Sequence, residues 1–271
     1  MTHDTACKRP VRFLLAAFLS ATSWGCSTAP LTQTSEPLRS PPYRSAQTLT
    51  APVNTIVIDA GHGGHDPGTS HHGLKEKHLA LDIARRLRTT LQDAGLTVVM
   101  TRETDQFIPL SGRPAIANRL GADLFVSVHI NANKNSRVSG AEVYYPRVSA
   151  VSQTAKWPPA VRASEVGVPT MTVKQILWDL VLGRTRSQSR KLASTICGSM
   201  RQGLEVSCKS KPARFVVLRE SWMPSVLVEV GYVSNATEAQ RLNRSDYRAS
   251  AAESIAQGIV AYVRDAGAQH I

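Results

Sequence analysis

Four residues stand where the sequence could break a bond: His62, Glu76, His129 and Glu229. His62 lies in Gly61-His-Gly-Gly64, directly after the apolar run Thr55-Ile-Val-Ile-Asp59, and His129 directly follows a second apolar run, Leu124 to Val128. The carboxyl ends of strands are where open α/β sheets bind ligands. Neutral imidazole is a preferred nitrogen donor for zinc, and strand ends hold it rigidly. Glu76 follows at the start of a predicted helix and offers a carboxylate oxygen. A His₂Glu set leaves the fourth position of a zinc ion open for water, as catalytic zinc requires. His65, His71, His72 and His78 are rival donors by composition alone. An acidic residue in a first helical turn also suits the helix dipole without any metal.

Glu229 interrupts the apolar run Ser225-Val-Leu-Val-Glu-Val230. An ionised carboxylate inside such a strand is costly without a partner. A nearby cation or reacting water would account for it. In a metal hydrolase a glutamate so placed is the general base, taking a proton from water and passing it to the leaving amine, where zinc has brought the water's pKa to about 7. Pairing with one of the chain's arginines is the structural alternative. The turn at Gly61 lacks both the Gly-x-Gly-x-x-Gly spacing and the Gly-Lys-Ser/Thr of phosphate loops, so a nucleotide is not indicated.

Alternating strands and helices must position these residues. After the strand at Thr55–Asp59, Leu79, Ile83, Leu87 and Leu91 recur at helical spacing. Strands are expected at Leu96–Met100, Leu124–Val128, Ala141–Tyr145, Phe215–Leu218 and Val226–Val230. Helices are expected near Pro114–Leu120, as one or two segments between Val173 and Leu204, and through Ala251, Ile255, Ile259 and Val263, capped by Ser245 or Asp246. Residues 146–171, with four prolines, read as a long loop. The pattern is α/β, a single domain over residues 53–271.

The composition, 42% hydrophobic and 19% charged over 271 residues, is that of an ordinary globular chain and excludes collagen-like, coiled-coil and wholly disordered classes. No run reaches the roughly 18 apolar residues of a membrane-spanning helix. The net charge of +12 favours polyanionic partners. Nucleic acid is not expected, because the basic residues are scattered singly or in pairs, with no dense run among aromatics. Lys8, Arg9 and Arg12 followed by apolar Phe13–Ala21 read as an export signal. Gly25-Cys26 resembles a bacterial lipobox with Cys26 as the lipid site, although Ser23 and Trp24 depart from that pattern; an ordinary signal followed by an incidental cysteine is the other reading. Residues 1–26 are therefore read as signal and 27–52, rich in Ser, Thr and Pro, as a flexible linker. Cys197 and Cys208 remain, and an oxidising compartment permits a disulfide between them without requiring one.

Asp59-Ala-Gly-His-Gly-Gly-His-Asp-Pro-Gly68, Lys75-Glu76, Ser127-Val-His-Ile-Asn-Ala-Asn133 and Val228-Glu-Val-Gly-Tyr-Val-Ser-Asn235 together resemble the zinc-dependent N-acetylmuramoyl-L-alanine amidases of the family-3 catalytic domain. The resemblance runs from Asn54 to Arg264. It implies a mixed, mostly parallel sheet flanked by helices, of phosphorylase/hydrolase-like kind. It also implies cleavage of the amide between the lactyl group of N-acetylmuramic acid and L-alanine of peptidoglycan stems. The family's metal ligands fall on His62, Glu76 and His129, holding one zinc ion, and its catalytic glutamate falls on Glu229. Asn131 lies near the metal in its motif. Arg113, in a segment resembling the family's Arg-x-x-x-Ala-Asn, contacts substrate or bridges acidic neighbours.

Division-associated members of that family carry an inserted helix over the zinc, sometimes with a blocking glutamate. Here Glu165 and the stretch Met171–Leu180 are too short for the full insert, so constitutive activity is expected. The expected partners are peptidoglycan or muropeptides, with a membrane only through Cys26. The expected setting is the periplasm, and a monomer is expected. A zinc peptidase acting within the stem, and a peptidoglycan-binding activator without catalysis, are the competing readings.

Overall fold

Apolar β-branched residues dominate the first strand, β1 (Thr55–Ala60), which is buried along nearly its whole length, as a strand covered on both faces must be. The computed structural model describes residues 53–147 and 171–268. The export signal, Cys26, the 27–52 linker, Glu165 and nearly all of the 146–171 loop lie outside the described residues.

The remaining strands are β2 (Ser70–His71), β3 (Leu74–Lys75), β4 (Thr97–Met100), β5 (Leu124–Asn131), β6 (Ala141–Pro146), β7 (Cys208–Ala213) and β8 (Ser225–Tyr232). The helices are α1 (Glu76–Asp93), α2 (Gly112–Leu120), α3 (Met171–Leu204), α4 (Val216–Arg219), α5 (Ala236–Asn243) and α6 (Ser245–Ala268). Six strands form one sheet in the order β4-β1-β5-β8-β6-β7, and β2 and β3 form a separate hairpin. Within the six-stranded sheet only the β6–β8 pair is antiparallel. The mixed, mostly parallel sheet agrees with the expectation.

Strand alternation divides the residues between two faces. Leu124, Val126, Val128 and Ile130 of β5 enter the main core with α1, α3 and α6. Phe125 enters a smaller cluster with Val217 and Leu218 of α4 and Ala117 of α2. Ser127 and His129 share the parity of Phe125, and Glu229 shares that of Leu227, so the reactive side chains stand on the thinly covered face. α3 is one 34-residue helix that packs on α6, and the disulfide Cys197–Cys208 ties it to the first residue of β7.

Three features depart from expectation. Phe215–Leu218 is not a strand: Phe215 is extended and Val216–Arg219 form one helical turn. The sheet edge is taken instead by β7, whose Lys209, Lys211 and Pro212 hide the apolar pattern. Lysine and proline are tolerated there because an edge strand leaves one row of backbone groups unpaired. Helix α5 is also additional; Asn235 caps it by accepting from Glu238 N at 3.1 Å.

Candidate metal centre and active site

Beyond β1 the chain turns so sharply that His62 adopts a left-handed backbone, φ 58°. Its Nδ1 lies 2.7 Å from Asp66 Oδ2, and its Nε2 lies 3.2 Å from Glu76 Oε1. A carboxylate on one ring nitrogen fixes the tautomer and turns the other toward a ligand position. Glu76, the first residue of α1, also faces His129 Nδ1 through Oε1 at 2.8 Å. The backbone locks this carboxylate: Ile130 N donates to Oε1 at 3.1 Å and Thr69 N to Oε2 at 2.9 Å.

Two glycines make the approach feasible. A Cβ on Gly61 would lie 2.4 Å from the His129 ring. A Cβ on Gly68, at φ +66°, would lie 2.6 Å from Glu76 Oε2 and 2.7 Å from His62 Cδ2. Glycine alone accepts both the space and the left-handed backbone at residue 68.

His62, Glu76 and His129 each present a donor atom, and these atoms lie within 4.8 Å of one another. Two imidazole nitrogens and one carboxylate oxygen suit a divalent cation of zinc type. The rival histidines stay apart: His65 packs on Phe107, His78 is exposed beside Asp105, and His71 and His72 are exposed on the hairpin and its turn. Although burial opposes the charge of Glu76, hydrogen bonds from His129 and His62 outweigh it and hold the carboxyl far below the usual carboxylate range.

Glu229 is in register with His129 across the β5–β8 pair and with Glu142 across the β6–β8 pair. Its Oε2 is buried and has no hydrogen-bond partner among the described residues. Burial pushes its pKa up to about 7; Glu76 and Glu142 add to the rise, and His129 and His62 oppose it. A carboxyl that ionises near neutrality beside a three-donor cluster is equipped to accept and return a proton.

The structure brings His62, Glu76, His129 and Glu229 together as expected. Arg113 is 2% exposed, and its guanidinium donates to Asp59 Oδ1, Ala60 O, His62 O and Ile108 O, the bridging alternative of the sequence reading. Asn131 stands at the irregular end of β5, where its Oδ1 accepts from Ala132 N at 2.8 Å. Sequence reasoning missed Asp66 and Glu142. Asp66 has a signal in hindsight, four residues after His62 in a tight turn. Glu142 had none: Tyr144 donates to it from two residues further along β6, but Lys211, which donates to its other oxygen, meets it only through the pairing of β6 with β7.

The family model for N-acetylmuramoyl-L-alanine amidase matches residues 56–261. The chain is 37% identical over 217 residues to the amidase AmiA of Escherichia coli, covering 76% of this chain and 75% of that protein. It is 35% identical to the amidase LytC of Bacillus subtilis, covering 81% of this chain but 38% of that longer protein. Among solved structures, the amidase AmiC2 of Nostoc punctiforme aligns with a TM-score of 0.60 at 33% identity, over 78% of this chain and 97% of that one. The amidase from Clostridium difficile 630 aligns with a TM-score of 0.62 at 30% identity, over 79% and 98%. The chain, from β1 to α6, belongs to the N-acetylmuramoyl-L-alanine amidase family.

Proposed function

We propose that this chain hydrolyses the amide between the lactyl group of N-acetylmuramic acid and L-alanine of peptidoglycan stems, with one zinc ion held by His62, Glu76 and His129 and with Glu229 as general base. The observation that carries the reading is the buried Glu229 Oε2, without a hydrogen-bond partner among the described residues, beside the His/Glu/His cluster. Bound there, zinc would polarise the scissile carbonyl and lower the pKa of the attacking water.

The chain's own groups do the rest. Glu229 takes a proton from the attacking water on Oε2 and delivers it to the nitrogen of L-alanine, which departs as the free amine. Asp66 holds Nδ1 of His62 and so directs Nε2 toward Glu76. The backbone bonds to Glu76 keep its carboxylate aimed at both imidazoles. Asn131, at the half-buried end of β5, is the proposed substrate contact. The export signal and Gly25-Cys26 support an extracytoplasmic site of action with a lipid anchor on Cys26.

The test is mass spectrometry of products from a defined muramyl-peptide, using residues 27–271 with and without a zinc chelator and with Glu229→Ala as control. Free peptide beginning at L-alanine, dependent on metal and lost in the variant, is expected. Cleavage inside the stem would make the chain a peptidase. No cleavage by the zinc-loaded protein would leave a binding role or a need for an activator.

A further inference from the structure

Arg102 is among the largest fully buried side chains, at 1% exposure, and the sequence gives it no task. Its guanidinium donates to four main-chain carbonyls: Ala60 through Nε at 2.9 Å, Gly61 and Lys77 through Nη2 at 2.7 and 2.9 Å, and Thr104 through Nη1 at 3.0 Å. Arg113 reaches the same turn from the other side, donating to Ala60 O at 2.8 Å and His62 O at 2.9 Å while paired with Asp59 at 2.9 Å. The carbonyls of three successive residues, 60 to 62, thus end on two buried guanidiniums.

We propose that Arg102, acting with Arg113, is a positioning residue of the metal centre: the two side chains lock the turn that carries His62 to the helix start that carries Glu76. The proposal rests on the reading of His62, Glu76 and His129 as metal ligands.

Three observations carry it. First, His62 is a non-glycine residue with φ 58°, a conformation that persists only where the surroundings over-determine it. The carbonyls on both sides of that φ, those of Gly61 and His62, are the ones the guanidiniums hold. Second, Nη2 of Arg102 spans Gly61 O and Lys77 O, so one planar group links the residue before His62 to the residue after Glu76. Third, burying a guanidinium on neutral carbonyls is costly compared with an apolar side chain of similar volume, which argues for a geometric task over a purely stabilising one. Lysine retains the charge but lacks the rigid fork, so Arg→Lys separates geometry from charge.

The test measures zinc affinity of the metal-free chain by competition with a chromophoric chelator, for wild type, Arg102→Lys and Arg113→Lys, alongside thermal unfolding of each without metal. Arg102→Lys is expected to bind zinc about 10–100-fold more weakly, the usual effect of losing support around a ligand. Its metal-free unfolding temperature should stay within a few degrees of wild type, and excess zinc should restore hydrolysis with KM unchanged. A merely structural role would instead lower the unfolding temperature and leave the affinity of the folded fraction intact, which overturns the proposal. If Arg102→Lys fails to unfold cooperatively, Arg113→Lys decides in the same way: a tenfold loss of affinity supports the proposal and wild-type affinity overturns it. Wild-type protein that binds no zinc would overturn the ligand assignment and this proposal with it. Tight binding by wild type and both variants would overturn the proposal alone.

Discussion

Replacing Glu229 by glutamine is expected to stabilise the metal-free protein while disabling it. Glu229 Oε2 is buried without a hydrogen-bond partner among the described residues, and its pKa rises from 4.5 to about 7. The folded-state value lies above the unfolded one, so the group favours the fold fully below pH 4.5 and loses that contribution as pH rises through 7. At 1.36 kcal/mol per unit, the carboxylate costs the fold about 3 kcal/mol above neutrality. Glutamine keeps the shape and carries no charge to desolvate. Glu229→Gln should therefore raise the unfolding temperature at pH 8 by up to roughly 6–12 °C for a domain of this size. The difference should vanish near pH 4, where the carboxyl is protonated in both states. Hydrolysis of a muramyl-peptide should fall by about 10²–10⁴, the contribution of a general base. Calorimetry after chelation at pH 4, 6 and 8, paired with product mass spectrometry, reads both effects. A variant no more stable than wild type at pH 8, or one that hydrolyses within tenfold of it, would refute the reasoning.

Other expectations follow from the same geometry. Gly68→Ala forces a methyl group against Glu76 and His62 and should displace them by more than the ~0.2 Å that metal coordination tolerates; chelator competition should show at least a tenfold loss of zinc affinity, and unchanged binding would contradict the site's geometry. Asp59 accepts from Arg113, Thr101 and Ser127 in a fully buried network, so Asp59→Ala should cost on the order of 3–5 kcal/mol in urea unfolding by stranding the guanidinium. Cys197 and Cys208 close a loop of sequence separation 11, so the double serine variant should lose about 3 kcal/mol in the same assay, and equal stability would show that helix packing alone holds α3 against β7.

Much of the site was legible because its residues break local patterns. His62 ends an apolar run in a glycine turn, His129 ends another, and Glu229 stands inside a third, where only a special task explains a carboxylate. Helix α1 was equally plain, since Leu79, Ile83, Leu87 and Leu91 mark one face at helical spacing and are buried. The strand expected at Phe215–Leu218 failed for the converse reason. Four apolar residues carry no period, and the burial of Val217 and Leu218 with Ala117 of α2 and Leu227 came from a helical turn. β7 was invisible because an edge strand with two lysines and a proline needs only one neighbour, β6, to pair with.

The sequence by itself determined the strongly periodic elements and the chemical identity of the donors, because periodicity and residue type are local properties. Tertiary structure alone decided which groups meet. Glu142 faces Glu229 only because β6 runs antiparallel to β8. Arg113 became a buried clamp because α2 lies over the end of β1, and Arg102 joined it from the segment after β4, which is β1's neighbour in the sheet. Such contacts join residues about 40 to 90 positions apart, set by strand register and helix packing.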